Sequence, residues 1–140
     1  MERRVNRRWE IALDERAANV AREALRSTLT PVLPREQLDD VLVSASELVS
    51  NAVRHSGARG RGSLALQVRL EARSLQVEVT DPGPGFDAEG TPEPPPLPVS
   101  GYGLRIVERL SDRWEVNSSG PTRVRFEIDL GRTRGAHRGA

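Results

Sequence analysis

The chain has 140 residues, 36% of them apolar and 29% charged, which is the composition of one globular domain with a single core. A formal net charge of +1 provides no overall positive field for nucleic acid or an acidic membrane, so we predict direct contact with neither. There is no apolar run near the roughly 20 residues of a membrane helix, no signal peptide pattern and no cysteine, and a cytoplasmic location is therefore predicted.

The first predicted elements are a strand and a helix. Apolar and polar residues alternate over residues 9–13, as in a strand with one buried face. Asp14 is a suitable N-terminal cap for a helix over residues 15–29, after which two prolines end the helical pattern. The exposed side of this helix carries three arginines, which are either a solvated face or a contact for a partner: Arg16, Arg22 and Arg26.

The longest predicted helix, residues 35–56, carries a polar pair one turn apart. At 100° per residue, Glu47 and Asn51 lie about 40° from each other on the side opposite the apolar stripe. That position is typical of a solvated pair. The same residue types also suit a magnesium ligand, Asn51, and a general base, Glu47, if another segment folds over them. The apolar stripe comprises Leu38, Val41, Leu42, Ala45, Leu48, Val49 and Ala52.

Four more segments have the period of strands, and one more has the period of a helix. Alternation at residues 64–70, 75–79, 114–116 and 124–130, with two connections of hairpin length, favours an antiparallel sheet with one polar face. The third helix is predicted to begin near Gly103. The fold class that follows is α+β, a two-layer sandwich with three helices on one face of a mainly antiparallel sheet. A single domain over residues 7–130 is predicted, with flexible tails at 1–6 and 131–140.

A long glycine- and proline-rich segment follows the third strand. The sequence "DPGPG" is ordinary turn chemistry, but Asp81 can also accept a hydrogen bond from an exocyclic amine such as that of adenine. Gly83 and Gly85 would then let a flat ligand approach the backbone. Seven of the ten prolines lie in residues 82–98, and so long a loop is typically functional or disordered. The sequence "GYGL" then begins the third helix, where free backbone N–H groups can bind phosphate.

The order of these motifs resembles that of the GHKL ATPase superfamily, which has the Bergerat fold. E-x-x-x-N on a helix, two strands, D-x-G-x-G, a long loop and G-x-G-L occur in sequence, and the resemblance spans roughly residues 7–130. Within the superfamily the likeness is greatest to the bacterial anti-sigma-factor serine kinases. The domain stands alone, and "SELVSNAVRHSG" is similar to their Glu-x-x-x-Asn-Ala-x-x-His stretch.

The resemblance implies a role for each motif residue. Glu47 would be the catalytic base, Asn51 would bind Mg²⁺ on ATP, Asp81 would bind the adenine amine, and residues 86–100 would form the ATP lid. The other nucleotide contacts that it implies are Gly83, Gly85, Gly101, Gly103, Leu104 and Thr122. It also implies a homodimer that sequesters a sigma factor and phosphorylates a serine of a STAS-type anti-anti-sigma protein.

The lid departs from the family pattern and keeps other functions open. Residues 86–100 contain no basic side chain and three acidic ones, Asp87, Glu89 and Glu93. This composition favours nucleotide binding over phosphoryl transfer, so one alternative is a catalytically weak, ATP-gated regulatory binding module. Another is the detached ATPase domain of a two-component sensor kinase, although the sequence shows no dimerisation helix that bears a phospho-acceptor histidine. A third reading, that residues 92–98 are a proline-rich peptide ligand, conflicts with their position between two glycine motifs.

Overall fold

The computed structural model describes residues 4–55, 62–81, 102–117 and 121–130, and this part of the chain forms five strands and three helices. None of the described helices is long and apolar enough to cross a membrane. In chain order the elements are β1 (Val5–Ala12), α1 (Ala17–Leu29), α2 (Arg35–His55), β2 (Ser63–Glu71), β3 (Ser74–Asp81), α3 (Tyr102–Leu110), β4 (Arg113–Asn117) and β5 (Thr122–Asp129).

The five strands form one antiparallel sheet in the order β1-β2-β3-β5-β4. A tight hairpin joins β2 to β3 through Ala72 and Arg73, which both have positive φ, at 48° and 69°. Two consecutive residues with positive φ are typical of a type I′ turn, whose twist matches that of the flanking strands. The two-layer α+β fold with a mainly antiparallel sheet, predicted from the sequence, is confirmed.

The core lies between the sheet and the three helices. Alternate residues of β2, β3 and β5 point towards the helices, and most of them are buried, with Leu66, Val77 and Phe126 at 0% exposure. Six of the seven residues in the predicted α2 stripe are buried, and the seventh, Ala52, packs against the same cluster. Because α2 contacts both α1 and α3, it is the central helix of the layer.

The opposite face of the sheet is polar, which explains why helices cover one side. Arg113 of β4 donates to Asp129 (2.7 Å) and to Glu127 (3.0 Å) on β5, and these two contacts raise the pKa of its guanidinium above the usual value. On the same face, Arg125 donates to Glu115 at 2.6 Å. Opposite charges therefore face each other on neighbouring strands, and such cross-strand pairs stabilise a sheet.

The prediction that Asp14 caps α1 is wrong, and the helix begins at Ala17 rather than at residue 15. The Asp14 carboxylate accepts a hydrogen bond from the N–H of Arg16 (2.8 Å), while its backbone carbonyl accepts one from Ala17 (3.0 Å). These bonds close a turn before the helix, because an aspartate can bond the backbone two residues ahead. The N-cap is Arg16, whose side chain makes no capping bond.

Candidate functional site

Two polar residues face each other where β3 ends and β5 begins. Asp81 is the last residue of β3, and its register partner is Thr122, the first residue of β5. By alternation, both are on the sheet face that carries Val79 and Val124, which is the face that the helices cover. Directly opposite residues have Cβ atoms about 5 Å apart, so the carboxylate and the hydroxyl can reach a shared ligand.

Asp81 is buried, with 8% of its surface exposed, and it adjoins the apolar core. A carboxylate in such surroundings is costly unless hydrogen-bond donors satisfy it. Asp81 lies within β3, at the covered end of a central strand, and not in a turn. Thr122 is half-buried beside it.

The polar pair predicted on α2 is present on one side of that helix. Glu47 and Asn51 are both half-buried, so the face that bears them is partly covered rather than fully solvated. Because α2 packs against both β3 and α3, the helix with this pair neighbours the strand that ends in Asp81 and the helix that begins at Tyr102. The structure thus makes neighbours of the three elements that carry the predicted motifs.

The side-chain oxygen of Asn51 is engaged by another residue of the same helix. The guanidinium of Arg54, one turn later on α2, donates a hydrogen bond to Asn51 Oδ1. This is the atom that the sequence analysis assigns to Mg²⁺. The spacing of three residues is the only sequence signal for the contact, since such neighbours share a helix face. Among the described residues, no hydrogen bond or ion pair reaches the carboxylate of Glu47.

Part of the predicted site lies outside the described residues. Gly83, Gly85, Gly101 and the predicted lid, residues 86–100, belong to that part. Gly103 and Leu104 are described as backbone and lie in the first turn of α3, which begins at Tyr102. Backbone N–H groups in a first turn have no partner within the helix and are available to an anion.

Within the described residues, no three acidic, histidine or cysteine side chains gather as a metal site would require. A cation beside Asn51 could take its other ligands from a bound phosphate chain and from water. Mg²⁺ is bound in this way in many nucleotide sites, where the protein supplies one or two oxygen ligands. The amide oxygen of Asn51 fits that role.

Comparison with known proteins gives consistent matches. The family model described as "Histidine kinase-like ATPase domain" matches residues 11–128. The anti-sigma F factor of Clostridium acetobutylicum is 34% identical over 111 residues, which are 75% of this chain and 76% of the relative. That of Pasteuria penetrans is 32% identical over 114 residues, with 76% and 75% covered. Serine-protein kinase RsbW of Bacillus pumilus is 28% identical over 131 residues, or 81% of each chain.

Solved structures share the fold at low sequence identity. The structure of the RsbU and RsbW domains of a Mycobacterium tuberculosis protein superposes with a TM-score of 0.71 at 20% identity, over 90% of this chain and 32% of that one. The histidine kinase domain of a blue-light-activated kinase from Erythrobacter litoralis gives 0.54 at 23% identity, with 86% and 62% covered. The chain thus spans about a third of the first protein's length. At these identities, both comparisons show a shared fold and nothing more.

Proposed function

The chain belongs to the histidine kinase-like ATPase domain family, and we propose that it is an ATP-binding anti-sigma factor with serine kinase activity. In this proposal it sequesters a sigma factor and phosphorylates a serine of a STAS-type anti-anti-sigma protein. The relatives named anti-sigma F factor and serine-protein kinase RsbW support the assignment. The structural observation that carries it is the buried Asp81 opposite Thr122, on the strand that packs against the Glu47–Asn51 helix.

Asp81 and Thr122 are proposed to hold the adenine ring. The carboxylate of Asp81 would accept the exocyclic amine, and a charged acceptor makes that bond stronger than a neutral one does. Thr122 would bind the ring directly or through water, from the neighbouring strand. Gly83 and Gly85 are proposed to let the flat base lie against the backbone.

The phosphates are proposed to lie between α2 and the first turn of α3. Backbone N–H groups at Gly101, Gly103 and Leu104 would bind phosphate oxygens, a role suited to a chain in which all 21 basic residues are arginine. Asn51 would hold Mg²⁺, which supplies positive charge to the phosphates during transfer. Arg54 would compete with the cation for Asn51 Oδ1.

Glu47 is the proposed general base. Its carboxylate would take the proton from the hydroxyl of the partner's serine as the serine oxygen bonds to the γ-phosphorus. The bond from that phosphorus to the bridging oxygen of ADP then breaks, and ADP leaves with the electron pair. In the described part of the chain no hydrogen bond or ion pair occupies this carboxylate.

The partner surfaces are proposed to include α1. Two of its three candidate arginines are engaged within the chain: Arg22 donates to Ser46 Oγ on α2 (2.6 Å), and Arg26 pairs with Glu23 (2.8 Å). The guanidinium of Arg16 has no such partner among the described residues and is exposed. Arg16 is therefore the best placed of the three to meet an acidic surface of a sigma factor.

The second candidate is an ATP-gated binding module with little catalytic activity. The observation in its favour is the bond from Arg54 to Asn51, which occupies the proposed Mg²⁺ ligand. The two candidates share the nucleotide site and differ in phosphoryl transfer alone.

One experiment separates them. The chain is used to capture partners from a native lysate with Mg·ADP or Mg·ATP, and γ-labelled ATP is then added to the captured complex. The kinase predicts nucleotide-dependent exchange between a sigma factor and a small anti-anti-sigma protein, and label on a serine of the latter. Glu47→Gln should keep the exchange and lose the label. Exchange without label from the unsubstituted chain would favour the binding module, and no nucleotide-dependent partner would contradict both.

A further inference from the structure

One apolar side chain is exposed in the middle of the polar face of α2. Val43 is 44% exposed, and at 100° per residue it lies directly opposite the centre of the buried stripe of that helix. Among the described residues, Val20 of α1 is the only other large apolar side chain with comparable exposure. Valine is also a weaker helix former than alanine, arginine or glutamate. Neither the core nor helix propensity therefore accounts for Val43.

Val43 lies beside the proposed catalytic base. Glu47 follows it by four residues, which is about 6 Å along the helix axis and about 40° around it. Asn51 continues the same row by four more residues. On the other side of Val43, about 60° away around the helix, Ser46 Oγ accepts a hydrogen bond from Arg22 of α1 at 2.6 Å. Val43 is therefore exposed on a strip between α1 and the row that contains Glu47 and Asn51.

The order of residues in this row indicates the side from which a phosphate acceptor approaches. With Asn51 on Mg²⁺ and Glu47 as the base, the phosphate chain of the nucleotide ends near Glu47. The attacking oxygen reaches the γ-phosphorus from the side opposite to the leaving oxygen of ADP. That side is the N-terminal half of α2, where Val43 is the first exposed residue met on moving back from Glu47.

A free carboxylate lies one turn beyond Val43. Asp39 is exposed, and none of the hydrogen bonds or ion pairs among the described residues involves its carboxylate. Asp39, Val43 and Glu47 thus follow one another at intervals of four residues, or about 6 Å along the helix. In an extended peptide, side chains two residues apart lie on one face and are about 6.6 Å from each other. The spacing of this row therefore matches that of alternate side chains in an extended segment.

We propose that Asp39, Val43 and Glu47 bind the serine-bearing segment of the phosphate-accepting protein in an extended conformation. The serine hydroxyl meets Glu47, an apolar side chain two residues from the serine packs on Val43, and a basic side chain two residues further pairs with Asp39. Val43 is then a specificity-determining residue for the acceptor. The proposal rests on the proposed function, because Glu47 as the base defines the position of the serine.

The first test is the steady-state kinetics of phosphoryl transfer to the purified, full-length anti-anti-sigma protein captured with this chain. Val43→Asp is expected to raise the KM for that acceptor about tenfold or more, because it places an unpaired charge against an apolar side chain. The kcat should stay within about twofold, since Val43 contributes to binding and not to the reacting atoms. Val43→Leu should keep the KM within about twofold. Arg35→Asp is the control, because it adds a carboxylate to α2 outside the row.

An exchange of charge between the two proteins is the decisive measurement. The labelled serine is mapped, and the apolar residue two positions from it, on either side, is replaced by aspartate in the acceptor. That acceptor should be a poor substrate for the unsubstituted chain, and Val43→Arg should lower its KM again about threefold or more, because opposite charges then meet. An unchanged KM with Val43→Asp, an equal rise with Arg35→Asp, no apolar residue at either position, or no recovery with Val43→Arg would overturn the proposal.

Failure of the proposed function would give a different result. If the chain is not a serine kinase, the unsubstituted protein puts no label on any serine, and this proposal falls with it. Label on a serine whose transfer is insensitive to every change at Val43 would overturn the acceptor surface alone and leave the kinase intact. The affinity of each variant for Mg·ATP, measured in parallel, should equal that of the unsubstituted chain, since Val43 lies outside the proposed nucleotide contacts.

Discussion

Asp81 and Thr122 are directly opposite each other at the junction of β3 and β5, and both are on the helix-covered face of the sheet. Their pairing joins the end of one central strand to the beginning of its neighbour, although the residues are 41 positions apart in the chain. The next pair on this face, Val79 and Val124, belongs to the apolar interior. Asp81 and Thr122 therefore lie at the boundary between the apolar core and the polar groups at this end of the sheet.

Asp81→Asn is expected to abolish measurable Mg·ATP binding while the chain stays folded. The substitution keeps the size of the side chain but removes the charge that strengthens the bond to the adenine amine, a loss of about 1.5–3 kcal/mol or more. Calorimetric titration measures the affinity, and circular dichroism checks the fold. Glu71→Gln is the matched control, because Glu71 is an exposed carboxylate at the end of β2. Equal affinities in the two variants would contradict the adenine assignment.

Thr122→Val is expected to weaken ADP binding about three- to tenfold, with little change in stability. Valine has nearly the shape of threonine and suits a strand, so the hydroxyl is the only group removed. Thr80→Val provides the comparison, since Thr80 is next to Asp81 but points to the polar face of the sheet. If both variants lose ADP affinity equally, the loss results from a disturbed strand and not from removal of the Thr122 hydroxyl.

Arg54→Ala is expected to lower the Mg²⁺ concentration at which ADP binding is half-saturated, about two- to fivefold. The guanidinium of Arg54 donates to Asn51 Oδ1, and an exposed contact of this kind is worth no more than about 1 kcal/mol. Removing it leaves the oxygen available to the cation. Titration of Mg²⁺ at fixed ADP gives the value, with Arg35→Ala, at the other end of α2, as the control. A higher Mg²⁺ requirement would indicate that Arg54 supports the bound state instead.

Most elements were predictable because their residues repeat with a clear period. β2 and β3 alternate apolar and polar residues along most of their length, and α2 has an unbroken apolar stripe, so predicted and observed bounds differ by two residues at most. β1 begins at Val5, earlier than the predicted Trp9, since three consecutive polar residues, Asn6 to Arg8, hide the period of an edge strand that is exposed near its start. The wrong beginning of α1 has a local cause, the turn at Asp14.

The site was predictable in its residue types but not in its contacts. The motif order suggested which residues belong together, whereas the pairing of Asp81 with Thr122 depends on the register between two strands distant in the sequence. The bond from Arg54 to Asn51 depends on side-chain rotamers, which no sequence pattern specifies. The burial of Ser44 was not predictable either, because a serine on the polar side of a helical wheel is normally exposed. In the structure Ser44 is fully buried, which results from the packing of α2 among its neighbours.

Ser44→Ala is expected to leave stability unchanged or to raise it by up to about 1 kcal/mol. Ser44 is fully buried on α2, and its hydroxyl has no hydrogen-bond partner among the described residues, so the fold bears the cost of desolvating it. Ser111→Ala is the counterpart, because the buried Ser111 hydroxyl donates to the carbonyl of Val107 at 2.6 Å, and its loss should cost about 0.5–1.5 kcal/mol. Thermal or urea unfolding of the two variants gives the comparison. Ser44 lies one turn from Glu47, so a Ser44→Ala chain that is as stable as the original but binds Mg·ATP more weakly would show that this hydroxyl serves the nucleotide site rather than the core.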